Sequence, residues 1–464
     1  MRVYIKKLTC LCITLLIASS FSGCGGGSNG DPPPANNENN QNNPNNPDNS
    51  PQPTTRLFPQ AFDQGITYQT TTYVSSGAAV GGDGSQSTPY NNIRDALLNA
   101  TPGTRINIAA GNYAPIGTLS NIQGTAQAPI ALVANGTVTI DGGNADMALQ
   151  LTDARYVVID GFSIQNTLPH GINIDDGASY DTPSEYVVLR NMLFRNIGNG
   201  GNNDCLKMSG VDNFYIEDSE FENCNEGEAI DMVGCHDGVI TGNNFHDIPR
   251  NAINTKGGSA NILIHGNRFV DISQRAINAG GSTGAAYFRP LNATYEGSEI
   301  QIVANIFVRP GSTPVAFVGC DTCVFANNTV IEPQQYIARI LEENTTRTAG
   351  AYGYFINNII VFNTSQVSTF VNVGAGTNPA TFTFDTNLWY AQDDNSFSGP
   401  NYSSGIPPET NSVIQQNPNL NMDYSIPAGS PAVGQGRTVP RGLVGDYDRN
   451  PYNTPPSIGA FEAP

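Results

Sequence analysis

An all-β chain wound into a stacked parallel β-helix is the fold class the sequence predicts, on three observations. Between residues 202 and 282 one phrase occurs four times, as NNDCLKMSG, EGEAIDMVG, RNAINTKGG and QRAINAGGS, with Asp204, Glu228, Asn251 and Arg275 opening the successive cores. A column of phenylalanines, Phe194, Phe221, Phe245 and Phe269, keeps a similar step and resumes at Phe307 after a longer coil. Two residues before each stands Met192, Ser219, Asn243, Asn267 or Asn305. One residue type per repeat is what coils stacked about 4.8 Å apart produce. The Phe column then fills the bore, and the Asn column forms an amide ladder at a turn.

The chain begins with Met1-Arg2 and Lys6-Lys7, the apolar run Leu8 to Ile17, and the small residues Ala18-Ser19-Ser20. That is the layout of a secretory signal, and the run is too short to span a membrane as a helix. Phe21-Ser22-Gly23-Cys24 resembles a bacterial lipoprotein cleavage box, with Phe21 where Leu is usual. The resemblance implies a signal over residues 1–24, a lipid on Cys24 and, with Gly25 next, an outer-membrane address in a Gram-negative cell envelope. A plain secretory signal is the alternative. Residues 25–55 are Gly, Pro, Asn and Ser with almost nothing apolar, so they are expected to be a disordered tether.

The folded part is expected to start near Arg56, with the β-helix over 56–386. Ile93, Ala96, Leu97 and Ala100 fall at helical spacing and Pro102-Gly103 ends the run, predicting a short helix that caps the first coil. Short alternating strands follow from Pro129. In each phrase the residues Ile172 and Ile174, Leu206 and Met208, Ile230 and Met232, Ile253 and Thr255, and Ile277 and Ala279 alternate with Asn173, Lys207, Asp231, Asn254 and Asn278. Period-two alternation sends that second set to one outer face. Two residues earlier Gly171, Cys205, Ala229, Ala252 and Ala276 are all small, which predicts a trough beside the polar wall. Residues 280–299 are expected to loop out over this face. Residues 387–464, richer in Pro and Tyr, are expected to cap the far end and block strand-edge association.

The stretch DGSxxxPYxxIxxAL from Asp83 to Leu97, the Asn and Phe columns, and the ending from Asp446 to Glu462 with its IGAFE together resemble secreted right-handed parallel β-helix proteins. These include polysaccharide lyases and several glycoside hydrolase families. The resemblance covers most of residues 80–464 and speaks for the fold more than for the reaction. It implies a right-handed solenoid with an N-terminal capping helix and a C-terminal capping segment. Lys256, in NAINTKGG, stands where alginate and chondroitin lyases of the chondroitinase B type carry a Lys base, but Asn251 replaces their Glu and Gly280 their Arg. Asn203-Asp204-Cys205 is similar to a piece of polygalacturonases, whose second Asp and His-Gly pair are absent.

The chain has 464 residues and a formal charge of −19, with no basic tail to suggest nucleic acid. Yet Arg250, Lys256, Arg268, Arg275 and Arg289 cluster, and all four histidines lie between His170 and His265. Local positive charge in an acidic chain marks a place for an anion to dock. We therefore expect an acidic polysaccharide as substrate and cleavage by β-elimination. Lys256 is the base, Arg275, Tyr287 and Lys207 assist it, and Arg289, Asn254, Asn278 and His265 bind the chain. Asp204, Glu228 and Asp231, on adjacent coils, would repel unless a cation lies between them; calcium is one candidate and Lys207 the other. The alternative reactions are hydrolysis by Asp204 with Glu228, or by a wider pair that uses Asp231 or Asp175, and glycan binding without catalysis as a surface adhesin. A monomer is expected. Once Cys10, Cys12 and Cys24 are set aside five cysteines remain, of which Cys320 and Cys323 can bond locally while Cys205, Cys224 and Cys235 cannot all pair.

Overall fold

The computed structural model describes residues 56–198, 202–344, 347, 350–402 and 405–464. The expected signal, the lipidated Cys24 and the tether lie outside the described residues. Nearly every strand pairs in parallel with the strand one coil away, as the repeat requires. Ten of them form one sheet: Gly117–Ser120, Leu149–Thr152, Ile172–Asp175, Leu206–Ser209, Ile230–Val233, Ile253–Lys256, Arg275–Gly280, Thr313–Val318, Ala338–Leu341 and Val371–Val373. A 23-stranded parallel sheet makes up the other sides. The helix Ile93–Leu98 closes the first coil, burying Ile93, Ala96 and Leu97, with the Asn92 side chain accepting from the Asp95 N–H as its N-cap.

In register, Asn173, Lys207, Asp231, Asn254 and Asn278 lie side by side, and Ile172, Leu206, Ile230, Ile253 and Ile277 form the row beneath them. The outward row continues through Ala316, Arg339 and Asn372. The phenylalanines stack with centroids 4.8–4.9 Å apart from Phe194 to Phe307. Beyond Phe307 the aromatic stack steps sideways to the row of Phe325, Phe355 and Phe384. The amide ladder is longer than expected. Asn243 donates from its backbone N and from Nδ2 to Oδ1 of Asn267, both at 2.9 Å, and Asn267 donates likewise to Asn305. The same pattern runs on through Asn328 and Asn358 to Asn387, which donates to Glu409 as the last rung.

Two expectations are corrected. The small residues Cys205, Ala229, Ala252 and Ala276 make no trough: they turn inward at the corner and are fully buried in the core. Cys205 is bonded there to Cys224, Cys320 is bonded to Cys323, and Cys235 is a buried free thiol. The C-terminal residues do more than cap. Phe397, Tyr402 and Ile406 pack on the last coil, but residues after Leu420 turn back along one side of the solenoid. There Ser457 O accepts from Asn327, Gly459 N donates to Asn357 O, and Arg449 donates to Thr241.

Candidate functional site

Asp231 is fully buried on the outward row, and its two carboxylate oxygens face two lysines. Lys207, in register beside it, contacts Oδ2, while Lys256, two residues along the next strand, places Nζ 2.8 Å from Oδ1. Asn254 donates to Oδ1 of Asp231 at 3.2 Å, Asn278 donates to Asn254 at 2.8 Å, and Arg275 donates to Asn278 at 3.1 Å. The alternation that sends these residues outward therefore builds one polar chain across four coils. What reaches solvent is its cationic layer, with the Lys207, Lys256 and Arg275 side chains 14%, 17% and 18% exposed. Asn254 and Asn278, expected to bind substrate, are buried beneath that layer.

Asp204 sits at the start of its strand, fully buried. Its Oδ1 accepts from the Glu228 N–H at 2.9 Å, and its own N–H donates to Nδ1 of His170 at 2.9 Å. Its Oδ2 is buried with no hydrogen-bond partner, and the Lys207 ammonium is 3.7 Å away. Burial, with the Asp231 charge behind it, pushes the Asp204 carboxyl up to about 8. Burial also works against the Asp231 carboxylate, but Lys207 and Lys256 outweigh it and hold Asp231 below the usual range. The different contacts explain the different states: Asp231 touches two ammoniums and Asp204 touches none. Lys207 is raised, since Asp231 and Asp204 outweigh its own burial. Burial and the Lys207 charge bring His170 down to about 4, so its ring is neutral at pH 7, accepting at Nδ1 and carrying its proton on Nε2.

The carboxylates of Asp204, Glu228 and Asp231 lie within 4.8 Å of one another, close enough to hold a metal ion. The unpartnered Oδ2 of Asp204 fits such a role. Lys207 stands among the same oxygens, so an ion there competes with a lysine that already neutralises them. A second group of suitable spacing, Glu220, Glu222 and His246, lies on the 23-stranded sheet.

Two expected residues are elsewhere. His265 is fully buried on the 23-stranded sheet, its Nε2 3.1 Å from Gly445 O and its ring against Phe58. It holds the C-terminal segment and faces no groove. Arg289 is also buried: its guanidinium grips both oxygens of Asp176 and stacks on Tyr180, 4.6 Å from the ring centroid. It pins the long loop to the solenoid's edge. The loop crosses Gly210, Gly234 and Gly258, where a Cβ would lie 2.7, 2.4 and 2.5 Å from atoms of Arg289. All three glycines have positive φ, which turns the chain away from the sheet and leaves the channel in which the loop lies. Tyr287, on this loop, is 63% exposed. The loop begins beside Lys256, since a Cβ on Gly281 would meet the Lys256 side chain at 3.0 Å.

The sequence reading passed over Glu296. It is fully buried and accepts from the N–H groups of Gly257 and Thr283, the Thr283 hydroxyl and Asn344 Nδ2. It ties the residue after Lys256, the start of the loop and a later coil together. Its only signal in sequence was a glutamate in a loop, because the donors it gathers are up to 48 positions away.

Residues 147–332 match a family model described as the right-handed beta helix region. No curated protein matches the sequence. Among solved structures, the chain is similar to a pectate lyase, Pel9A, at 16% identity over 86% of this chain and 98% of that one, with a TM-score of 0.47. An alginate lyase from Paenibacillus sp. str. FPU-7 gives 17% identity, 68% and 99% coverage and a TM-score of 0.44. A rhamnogalacturonan lyase gives 12% identity, 72% and 89% coverage and 0.49. The strand register and the family match agree on one architecture: this chain is a right-handed parallel β-helix.

Proposed function

We propose that this protein is a carbohydrate-active enzyme, a polysaccharide lyase that cleaves a uronate-containing chain on the cationic face of its ten-stranded sheet. The observation that carries this reading is the pair of lysines sharing the single carboxylate of Asp231. With Arg275 they make three basic side chains on this face, the groups a uronate would meet. Lys207, held by Asp231 and lying near Asp204, remains the ammonium that neutralises the substrate carboxylate. Lys256, beside the loop that carries Tyr287, is assigned the role of base, which it fills in its neutral form. In the step, Lys256 Nζ takes the proton from the sugar carbon beside the carboxylate. The C–H electrons form the new carbon–carbon double bond, the glycosidic C–O bond breaks, and the leaving oxygen takes up a proton. Tyr287, on the loop seated against Lys256, supplies that proton from its hydroxyl. Arg275 is a further contact for the chain's carboxylates.

Hydrolysis fits the geometry less well. Asp204 and Asp231 are fully buried and Glu228 nearly so, and acid and base must flank a glycosidic bond in contact with substrate. Calcium is the ion proposed for Asp204, Glu228 and Asp231, in competition with Lys207. A lipid on Cys24 would keep the enzyme at the cell envelope, facing polymer outside.

The test is to incubate purified protein with polygalacturonate, alginate and chondroitin, with added calcium and with chelator, and follow the ultraviolet absorbance of unsaturated ends. Lys256→Ala is expected to lose about 10²- to 10⁴-fold in rate at an unchanged thermal midpoint. Products with saturated ends would overturn the lyase in favour of a hydrolase. Retention of polymer without any cleavage would leave a binding protein.

A further inference from the structure

Arg275 does two things with its guanidinium. Nη1 donates to Asn278, which fixes it to the outward row, and Nη2 lies 2.6 Å from Oε1 of Glu343. Glu343 follows the strand Ala338–Leu341, two coils further along. Its carbonyl accepts from the Ser282 hydroxyl at 3.2 Å, so its backbone is held against the loop. Between the two partners the outward row holds Ala316, which has no accessible surface. The Arg275–Glu343 pair thus stretches over the outward row that holds Lys207, Asp231, Asn254 and Asn278.

The next outward cation is Arg339. Its Nε donates to Asn372 at 3.0 Å, and its guanidinium lies 5.3 Å over the Tyr336 ring. Among the described residues no carboxylate lies within ion-pair distance of it. Burial and the charge of Arg275 both work against its guanidinium, while Glu343 favours it. Among the described residues Glu343 is thus the one carboxylate in ion-pair contact with either guanidinium, through Arg275 alone, and it is 37% exposed on its side chain. An exposed pair of this kind contributes little to stability, so another carboxylate can take its place at little cost.

We infer that Arg275 and Arg339 form a receptor for a uronate carboxylate of the bound chain, and that Glu343 occupies it in the free protein as an internal stand-in for the substrate. This rests on the proposal that the ligand is a uronate polymer and adds where a second of its carboxylates docks. Arg339 stands three rungs from the Lys256 strand, roughly 14 Å at a coil rise of about 4.8 Å. A pyranose in an extended chain advances by a similar length per residue. A chain lying along the helix axis with a reacting uronate at Lys256 then brings another carboxylate near Arg339, and Glu343 must swing aside to admit it.

The consequence runs against the usual effect of removing an ion pair. Glu343→Gln is expected to tighten binding, by about fivefold in apparent Kd, because the receptor no longer carries its own anion. Arg339→Gln is expected to weaken binding by a similar factor. The measurement is affinity electrophoresis of the full chain in gels containing polygalacturonate, with its fully methyl-esterified form as the uncharged control and a sulfated galactan, which carries no uronate, as the arm for sulfate esters. The tightening should appear with polygalacturonate, vanish with the ester and shrink as salt rises. Equal or weaker retardation of Glu343→Gln at an unchanged thermal midpoint would overturn the inference, as would absence of retardation in all three gels. Tightening seen with the sulfated polymer alone would also overturn the assignment to a uronate. Retardation requires no bond cleavage. Tightening in a protein that makes no unsaturated ends keeps this inference and discards the lyase, and normal cleavage with unchanged Glu343→Gln binding does the reverse.

Discussion

Asp231 holds two ammoniums with one carboxylate, and the residues around it take their charge states from that contact. Asp204 gets no such support: Lys207 is 3.7 Å away, and Glu228, Asp231 and His170 complete its surroundings. Its carboxyl keeps a proton in the folded chain up to about 8, whereas an unfolded Asp releases it near 3.9. Between those values the unfolded state has lost a proton the folded state retains, so this group makes stability fall as pH rises through the window. Asp204→Asn keeps the acceptor for the Glu228 N–H and removes the ionisation. Its thermal midpoint is expected to fall less than that of the unsubstituted chain between pH 5 and pH 8, as followed by circular dichroism. An equal fall in both would show that Asp204 is ionised throughout. The sequence made Asp204 and Asp231 look alike, two acids one coil apart. Their difference comes from Lys256, which reaches one and misses the other.

At the level of elements, the solenoid is held by columns rather than by individual strands. Each Asn of the ladder satisfies two groups of the neighbouring rung and one or more carbonyls, and all are buried. Asn267→Ala would leave the Asn243 N–H without its acceptor and the Ile240 and His265 carbonyls without their donor. Buried groups left unpaired cost about 1–3 kcal/mol each. We expect a loss of at least ~2 kcal/mol in urea unfolding, with the far-ultraviolet spectrum unchanged. A loss within ~0.5 kcal/mol would mean that water replaces the side chain. This column was legible from Ser219 to Asn305 because each member stands two residues before a Phe of the stacked column. Its continuation through Asn328, Asn358 and Asn387 was less so, since Val330, Ile360 and Trp389 stand where that Phe would be, and the closing Glu409 is a different residue type.

For the whole molecule, the question is which side of the solenoid faces solvent. Phe58, Ala61 and Phe62 of the first described segment and the residues after Leu420 lie on the 23-stranded sheet. Arg190 clasps the former through Asp63, at 2.6 Å, and His265 receives the latter at Gly445. That side is covered, and the ten-stranded sheet with its cations is left open. Burial lowers His265 to about 4, against 6.5 for an exposed imidazole. The unfolded state therefore takes up its proton first as pH falls, and stability from this group is lost between about 6.5 and 4. Amide protection factors at residues 441–449, corrected for the intrinsic pH dependence of exchange, are expected to fall as pH is lowered across that window, and His265→Gln should remove the dependence. If those protection factors stay flat while others respond, His265 does not govern the docking of this segment.

What the sequence determined by itself was everything that repeats: the parallel coil, the Phe and Asn columns, the outward row and the cations on it. Stacking turns a fixed step along the chain into adjacency in space, so a column can be read without coordinates. Tertiary structure alone decided what lies outside the repeat. It put Arg289 onto Asp176, 113 positions away, and so removed it from the open face. It turned the small residues into the core and His265 toward the C-terminal segment, and it laid Glu343 across the row beside Arg275. These pairings depend on where a long loop and a returning tail come to rest, and no periodicity encodes that path. Nor does a residue's outward parity set its exposure, since Asn254 and Asn278 point outward and are still covered by the charged side chains around them.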